Sequence, residues 1–595
     1  MVTAQPKVTS LKFRQELNIY EWLYLLRYTK QLDNKVIFAV REDFRSTLQS
    51  IPTSDLWKDN QNLRIDLSYP ISDRLVASTQ FFSHILKDQF SGFDNDVNFH
   101  AGSATLQYRP RPQVTLASTV SSKWQTQFQQ SDQGFGYGMR ADVSDFGFYG
   151  YSNDITVVGE QDVFPERKNQ DINIRYKIER QFYESTADTV LLIFDRLRRD
   201  SFASDGEGIF VRNLVQTNKG VENRLSYRLA SGASLFARNA IVATSFKVKN
   251  LKETESEVSK DDTGFESRHS VAIRLQSQEW FSHVGWSYRF RTRDDNRPQD
   301  TKPDPFGRFP TVGFDTEDVL VSLNLSSGLG LGAADSVGFY ASVSRFKYDT
   351  SDTTNPNDHD QIKWLFTAGH SHRFSPELSL VWHTSVFLNH FVYIAGKFSS
   401  GNNWERNIQL SPEIIYRPAG RFSFRQKFTV RAKYRTFDFD DPETSNRNIV
   451  NRQFIATNVS TYSLSGRDRI EFGFNLELAE QGRFLYDRWQ QNLALSWRNS
   501  EFGLRYVRYI GPDWKIVSGG NFFRQIRWEH KPNSEGKIEK REMNKHTNYG
   551  PVLEIAFRPQ PSLELNFLGR VQFSSSSQRG NEHLNNFDVS LNWFF

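Results

Sequence analysis

Apolar and polar positions alternate at the end of the chain. Asp588, Ser590 and Asn592 are the polar members, and the apolar or aromatic members are Phe587, Val589, Leu591, Trp593 and Phe595. Successive side chains of a β-strand point to opposite faces of the sheet. The pattern therefore predicts a strand with one apolar face and one polar face, and the apolar face ends in an aromatic residue.

The same period of two recurs along the rest of the chain. Apolar residues alternate with polar or charged ones over residues 11–19, 63–69, 271–275, 470–478 and 563–573. This alternation, with its β-branched and aromatic residues, predicts half-buried strands. No convincing helical periodicity accompanies it, so the sequence predicts an all-β protein.

Connections of two kinds separate these strands. Short proline-containing turns occur at 69–73, 109–112, 417–420 and 558–561, and proline belongs at turns because it cannot donate to a β-ladder. Long polar segments occupy residues 249–264, 294–317, 349–361, 438–448, 531–546 and 574–584. A sheet with short turns at one end and long loops at the other is therefore expected.

The terminal strand resembles the C-terminal insertion signal of Gram-negative outer-membrane β-barrels, in which the closing strand ends in Phe. The resemblance implies a single large antiparallel transmembrane β-barrel in contact with outer-membrane lipid, with short periplasmic turns and long extracellular loops. Bacterial barrels have even strand numbers, so we expect about 26–28 strands. Counting strands back from Phe595 places the long segment 438–448 at the end that carries the short turns. This contradicts the expected arrangement, so at least one hairpin between 464 and 530 must be miscounted.

The composition is compatible with a transmembrane barrel. Mean hydropathy is −0.60, and no segment approaches the roughly 20 consecutive apolar residues of a membrane helix. A barrel needs an apolar surface only on its outer face. A soluble β-rich protein is an alternative, but it leaves the terminal Phe and the recurrent aromatic faces unexplained.

Charge and cysteine content exclude other classes. The net charge is +5 over 595 residues, and no zinc finger, basic helix or RNA-binding signature is present, so nucleic acid is not an expected partner. The chain has no cysteine, which excludes disulfides and thiolate metal sites.

No domain boundary is visible, so residues 1–595 are predicted to form one barrel domain without a separate plug or periplasmic domain. The strands begin within about ten residues of Met1, which weighs against TonB-dependent receptors, the barrel-assembly family and lipopolysaccharide-assembly barrels. The first residues, MVTAQPK, lack the basic and apolar regions of a signal peptide. An outer-membrane location would therefore require that the signal has been removed or replaced.

One predicted strand carries six cations on a single face. It spans residues 421–437, and its cations are Arg421, Arg425, Lys427, Arg431, Lys433 and Arg435. A second strand repeats the pattern with Arg289, Arg291 and Arg293. Each cation would cost roughly 2–4 kcal/mol at the lipid midplane, so we expect both faces to line the lumen. Either these cations pair with acids of neighbouring strands, or they form a basic stripe for anionic cargo or an acidic partner.

The expected size of the barrel bears on its function. Some 26 strands, about 4.8 Å apart and tilted about 40°, give a diameter on the order of 50 Å. An open hole of that width would abolish the permeability barrier, so we expect partner proteins to fill or cap the lumen. One hypothesis is a transport conduit or translocation pore within a multi-protein envelope complex. The alternative is a non-conducting scaffold or sheath that anchors an electron-transfer or secretion subunit across the outer membrane.

Metal binding and catalysis receive little support from the sequence. His370 and His372 would share a strand face, but no third ligand is identifiable. Weak candidates for a calcium site are the loop residues Asp438, Asp440, Asp441 and Glu443. No GxSxG, HExxH, P-loop or dinucleotide-binding motif stands out, so neither enzymatic activity nor a cofactor is expected.

Overall fold

A computed structural model of the chain describes residues 8–32, 35–90, 96–127, 130–182, 186–204, 208–251, 256–296, 315–351, 355, 357–418, 420–440, 447–485, 490–535, 537–578 and 580–594. These residues form 28 strands and one 3₁₀ helix, Gly396–Gly401, and no α-helix occurs among them. The expectation of an all-β protein is confirmed.

The strands follow the alternating segments of the sequence. They are β1 (Val8–Glu16), β2 (Ile19–Leu32), β3 (Val36–Ile51), β4 (Ser54–Ser72), β5 (Leu75–Asp88), β6 (Val97–Arg111), β7 (Val114–Gln127), β8 (Gln130–Phe148), β9 (Tyr151–Val163), β10 (Lys168–Phe182), β11 (Thr186–Ser204), β12 (Ile209–Ala230), β13 (Ala233–Leu251), β14 (Ser256–Gln276), β15 (Trp280–Asp295), β16 (Thr316–Leu331), β17 (Asp335–Thr350), β18 (His359–Arg373), β19 (Leu378–Tyr393), β20 (Asn403–Tyr416), β21 (Phe422–Phe437), β22 (Ile449–Ser463), β23 (Asp468–Leu485), β24 (Gln490–Ile510), β25 (Trp514–Pro532), β26 (Ile538–Gln560), β27 (Leu563–Ser576) and β28 (Gly580–Phe594).

Every strand pairs antiparallel with its neighbours in the chain, and β1 also pairs with β28. Leu11 lies opposite Leu591 in this closing ladder, and Val8 lies opposite Phe594. The sheet is therefore a closed antiparallel barrel, and the predicted range of 26–28 strands is confirmed by the 28 strands of the described residues.

The connections sort into two ends of the barrel. At the end where β1 begins and β28 ends, which we call the short-turn end, each connection has between two and five residues. The opposite, long-loop end carries the longest connections, including 296–315, 394–402 and 438–448. Segment 438–448 thus lies with the other long loops. Its placement from the sequence count was wrong because at least one hairpin between residues 464 and 530, where β23, β24 and β25 lie, was miscounted.

Two boundaries differ from the expectation based on alternation. Residues 11–19 are not one strand but the hairpin of β1 and β2, and Leu17 in its turn has a positive φ of 58°. Much of the polar segments 249–264 and 531–546 belongs to β13, β14, β25 and β26. These strands continue past their apolar portion because backbone pairing does not require apolar side chains.

The two faces of the sheet differ strongly. On β8, Phe135, Tyr137 and Met139 are 69%, 55% and 73% exposed on one face, while Gly136 and Arg140 lie on the other. Comparable exposed apolar residues recur on most of the strands. We assign the polar face to the lumen, because a lumen of this width holds water and the apolar face then lies outside.

Candidate functional site

The strand predicted to be basic forms β21, and its alternation is as expected. Phe422 and Val430 lie on the apolar face, where they are 37% and 49% exposed. The strand cations of the polar face are Arg425, Lys427, Arg431, Lys433 and Arg435. Arg421 lies in the preceding turn rather than in the strand, and its carbonyl accepts a hydrogen bond from the backbone N–H of Ser463 at 2.7 Å.

Strand β20 supplies acidic partners for two of these cations. Arg425 forms an ion pair with Glu413, and Lys433 forms one with Glu405. Arg431 instead donates two hydrogen bonds, at 3.2 and 3.0 Å, to the side-chain carbonyl of Gln409.

The other neighbour, β22, does not balance the remaining charge. Its polar face carries neutral residues, among them Asn451, Gln453 and Thr457. Within the described part of the chain, Lys427 and Arg435 make no side-chain hydrogen bond or ion pair and are exposed. Cations therefore outnumber acids on this part of the wall.

The three arginines of β15 are paired. Asp318 of β16 accepts from Arg289 Nη2 at 3.2 Å and from Arg291 Nε at 2.5 Å. Arg293 Nη2 lies 2.7 Å from Oδ2 of Asp262 on β14. Asp318 is 1% exposed, so this carboxylate is enclosed by the two guanidinium groups.

The ion pairs continue across β12 to β14 on the same face. Glu222 lies between Arg224 and Arg238, with Arg238 Nε at 2.8 Å, and Glu266 holds Arg268 at 2.6 Å. Across β12 to β16 these pairs join four acids to seven cations, namely Arg224, Arg238, Lys260, Arg268, Arg289, Arg291 and Arg293. Glu222, Asp262 and Asp318 are each shared by two cations, whereas Glu266 pairs with Arg268 alone. This second part of the wall therefore also carries excess positive charge.

The segment resembling an insertion signal forms the end of β28. Its residues Phe587, Val589, Leu591 and Trp593 lie on the apolar face, opposite Gly569, Phe567, Leu565 and Leu563 of β27. Phe595 lies outside the described residues. The assignment of these residues as an insertion signal stays a prediction.

Two of the acidic residues considered for a calcium site, Asp438 and Asp440, contact different partners. His390 Nε2 lies 2.8 Å from Oδ2 of Asp438, whereas Asp440 accepts from the backbone N–H of Arg447 at 3.0 Å. Asp441 and Glu443 lie outside the described residues. The two described carboxylates thus hold neighbouring groups and do not converge on a shared point.

The histidine pair behaves differently. His370 and His372 converge on Asp335 of β17, which the sequence did not indicate as a third ligand. These three residues are the one group of three potential ligands found close together among the described residues. The sequence does not identify Asp335 as a third ligand because it lies more than 30 positions from the histidines. It meets them only through the register of β17 and β18.

Comparisons with known proteins add little to this geometry. No family model matches the chain, and no curated protein matches it. Searched by structure, it is similar to the siderophore receptor PirA of Pseudomonas aeruginosa, with 9% identity, a TM-score of 0.35 and coverage of 96% of this chain and 86% of that one. It is also similar to the ferric enterobactin receptor PfeA of the same organism, with 9% identity, a TM-score of 0.39 and coverage of 100% and 81%.

The FrpB iron transporter of Neisseria meningitidis gives a similar result, with 11% identity, a TM-score of 0.36 and coverage of 87% of each chain. At these scores the similarity carries no argument about function. No helix among the described residues is long and apolar enough to cross a membrane. The fold itself defines the class: a large closed antiparallel β-barrel with an apolar exterior and a charged lumen wall that is basic over β12–β16 and over β20–β22.

Proposed function

We propose that this protein is an outer-membrane β-barrel of a Gram-negative bacterium that serves as a transport conduit or translocation pore within a multi-protein envelope complex. The observation that carries the proposal is the polar, cation-rich wall of a closed 28-strand barrel. Among the described residues, the short 3₁₀ helix Gly396–Gly401 is the one regular element outside the strands.

The apolar exterior supports a membrane location. On β4 the outward residues Leu63, Ile65, Leu67, Tyr69 and Ile71 form a continuous apolar row toward the short-turn end. At about 3.4 Å per residue and a tilt of about 40°, this row covers about 20 Å along the barrel axis. That is close to the roughly 25 Å apolar band of outer-membrane barrels. In this orientation the short-turn end faces the periplasm.

The width of the lumen supports a partner protein. With 28 strands, the backbone diameter is on the order of 55 Å, which is wide enough to admit a folded subunit. The unpaired Lys427 and Arg435 and the shared acids of β12 to β16 favour anionic cargo or an acidic partner surface. The protein's role is then passage or gating rather than catalysis.

Planar-bilayer recordings test this function. The barrel purified alone should give a large conductance, and a co-purifying partner added at equal stoichiometry should reduce it to gated openings. Absence of conductance from the properly folded barrel would contradict the proposal. Permanent closure by the partner would instead favour the non-conducting scaffold that anchors another protein, which the same wide lumen could also house.

A matched pair of variants tests the role of the basic wall. K427Q/R435Q removes two cations without breaking an ion pair, and we expect lower anion selectivity and weaker partner retention. K515Q is the control, because Lys515 also lies on the polar face but is paired with Glu554 at 2.6 Å. We expect K515Q to change selectivity and partner retention less than K427Q/R435Q does. If K427Q/R435Q left both selectivity and partner retention unchanged, the basic wall would have no part in recognition.

A further inference from the structure

A cluster of one carboxylate and two imidazoles lies on the exterior of the barrel at the short-turn end. Asp335 is the first residue of β17, and His370 and His372 lie near the end of β18. The register places Asp335 opposite His372 and Val337 opposite His370. The exposed Phe339 lies on the same face, so the cluster adjoins the apolar belt and not the lumen.

The three side chains already converge on one point. Oδ1 of Asp335 accepts a hydrogen bond from Nε2 of His370 at 2.9 Å and from Nδ1 of His372 at 2.7 Å. One ligand atom from each residue lies within 4.8 Å of the other two. The side chains remain 43%, 32% and 28% exposed for His370, His372 and Asp335, so an ion in solution can reach them.

The spacing of the two histidines explains why they act together. Residues two apart on a strand project from the same face, and the antiparallel register then brings a residue of the next strand beside them. Tetrahedral zinc bound at about 2.0–2.1 Å holds its ligand atoms about 3.3 Å apart. The present 2.7 and 2.9 Å separations require only a small outward movement of the rings and the carboxylate.

The donor set selects the kind of ion. Imidazole nitrogens suit zinc, copper and nickel, whereas calcium and magnesium take oxygen ligands. We propose that Asp335, His370 and His372 bind a divalent transition-metal ion such as Zn²⁺, Cu²⁺ or Ni²⁺. Three protein ligands leave at least one coordination position for water or an external ligand.

The surroundings suit a fixed site. The ring of Phe374 packs edge-on against His372 with centroids 4.3 Å apart. The backbone N–H of Arg373 donates to the carbonyl of Ala334 at 2.8 Å. Residue 334 belongs to the turn between β16 and β17, and Phe374 to the turn between β18 and β19. A bound ion would therefore cross-link two separate hairpins at the short-turn end.

Metal binding by the folded barrel tests the site. The protein should carry no polyhistidine tag and should be metal-free in detergent, with Zn²⁺ measured by equilibrium dialysis and Cu²⁺ by electron paramagnetic resonance. We expect one ion per barrel, and a Cu²⁺ spectrum that shows superhyperfine coupling to two ligand nitrogens. H370A or H372A should weaken binding by roughly tenfold or more, since loss of an outer-shell partner alone already costs about that.

The chain offers a close control. His390 contacts Asp438 with a 2.8 Å separation but belongs to no such group of three ligands among the described residues, so H390A should leave Zn²⁺ and Cu²⁺ binding unchanged. H370Q keeps a hydrogen-bond donor to Asp335 and serves if H370A does not fold, with folding checked by the shift in gel mobility on heating. Equal affinity in wild type and H370A/H372A, or equal loss in H390A, would overturn the site.

Discussion

Nζ of Lys12 lies 2.9 Å from Oδ2 of Asp588, and this ion pair joins the first strand of the barrel to the last. Ser10 and Asn592 add a 2.6 Å hydrogen bond along the same seam. The closing ladder is short: it joins nine pairs of described residues, whereas several other strands have nineteen residues or more. A single side-chain contact therefore represents a larger share of this seam than of the others.

The Lys12–Asp588 pair should affect closure of the barrel. K12D places like charges across the seam, and we expect a loss of about 0.5–1 kcal/mol in the free energy of unfolding. A larger fraction of the protein should remain unclosed after refolding, measured by heat-modifiable gel mobility. The double variant K12D/D588K should recover most of the loss.

A pair in a longer seam provides the comparison. Lys515 and Glu554 are 2.6 Å apart between β25 and β26, with similar exposure. K515D should cost a similar free energy without raising the unclosed fraction. If K515D and K12D impaired closure equally, the short seam would have no special role.

Asp318 should couple stability to selectivity. D318N leaves Arg289 and Arg291 without their shared carboxylate, and we expect a cost of about 2 kcal/mol from the lost charged hydrogen bonds. The lumen wall would gain positive charge, so the ratio of anion to cation permeability in planar bilayers should rise.

S322A on the same strand separates the two effects. It removes the 2.6 Å hydrogen bond between Ser287 and Ser322 without changing charge. Stability should fall by about 1 kcal/mol and selectivity should stay at the wild-type value. A permeability change in S322A as large as that in D318N would show that charge is not the cause.

Arg167 should anchor the connection between β9 and β10. It is 2% exposed, donates to Asp132 at 3.0 Å and to Gln125 at 3.1 Å, and its guanidinium lies over the rings of Phe164 and Phe202 at 4.7 and 4.3 Å. R167A leaves Asp132 buried without its partner, so we expect a loss of about 3 kcal/mol on denaturant unfolding.

R167K should be only partly tolerated, because lysine lacks the planar fork that makes both hydrogen bonds and stacks on rings. The exposed Arg199, 3.6 Å from Asp171, provides the control. R199A should change stability by less than about 0.5 kcal/mol. Equal losses in R167A and R199A would contradict the expectation that the buried contacts of Arg167 stabilise the barrel more than an exposed ion pair does.

Gly550 is required by close approach of the backbone. A Cβ at this position would clash with the carbonyl of Val571 on β27, next to Pro551, where the ladder is interrupted. We expect G550A to cost about 1–3 kcal/mol. Gly473 also lies within a strand, but a Cβ there meets nothing within 4 Å. G473A should therefore be at least as stable as wild type, because alanine lowers the conformational entropy of the unfolded chain. Equal destabilisation of both variants would show that the clash at Gly550 is not the cause.

Alternation along the sequence predicts which residues share a face of a strand, but it does not predict which residues meet between neighbouring strands. That Arg425 and Lys433 share a face with Arg431 follows from a period of two, and so does the apolar face of β28. The period of two does not predict their acceptors, which are Glu413, Gln409 and Glu405. A shift of one residue in the pairing of β20 with β21 would move all three acceptors to the other face.

Register is set by turn geometry and by packing across strands, and neither has a simple sequence signal. This explains why the strand count failed between residues 464 and 530, where three strands are joined by connections of only three or four residues. It also explains why Asp335 was not foreseen as a partner of His370. The cations were readable as a set, but their pairing was not.

The pairing of β1 with β28 has a consequence for how the barrel forms. Each of the other ladders joins strands that are consecutive in sequence, so the sheet can grow hairpin by hairpin as a ribbon with two free edges. Ser10 and Asn592 are 582 positions apart. Loss of chain entropy makes closing a loop of that length cost about 4 kcal/mol more free energy than closing a turn of roughly four residues. We therefore expect pairing of β1 with β28 to be the last step of barrel formation, in which the nine residues of β1 provide the edge that β28 joins.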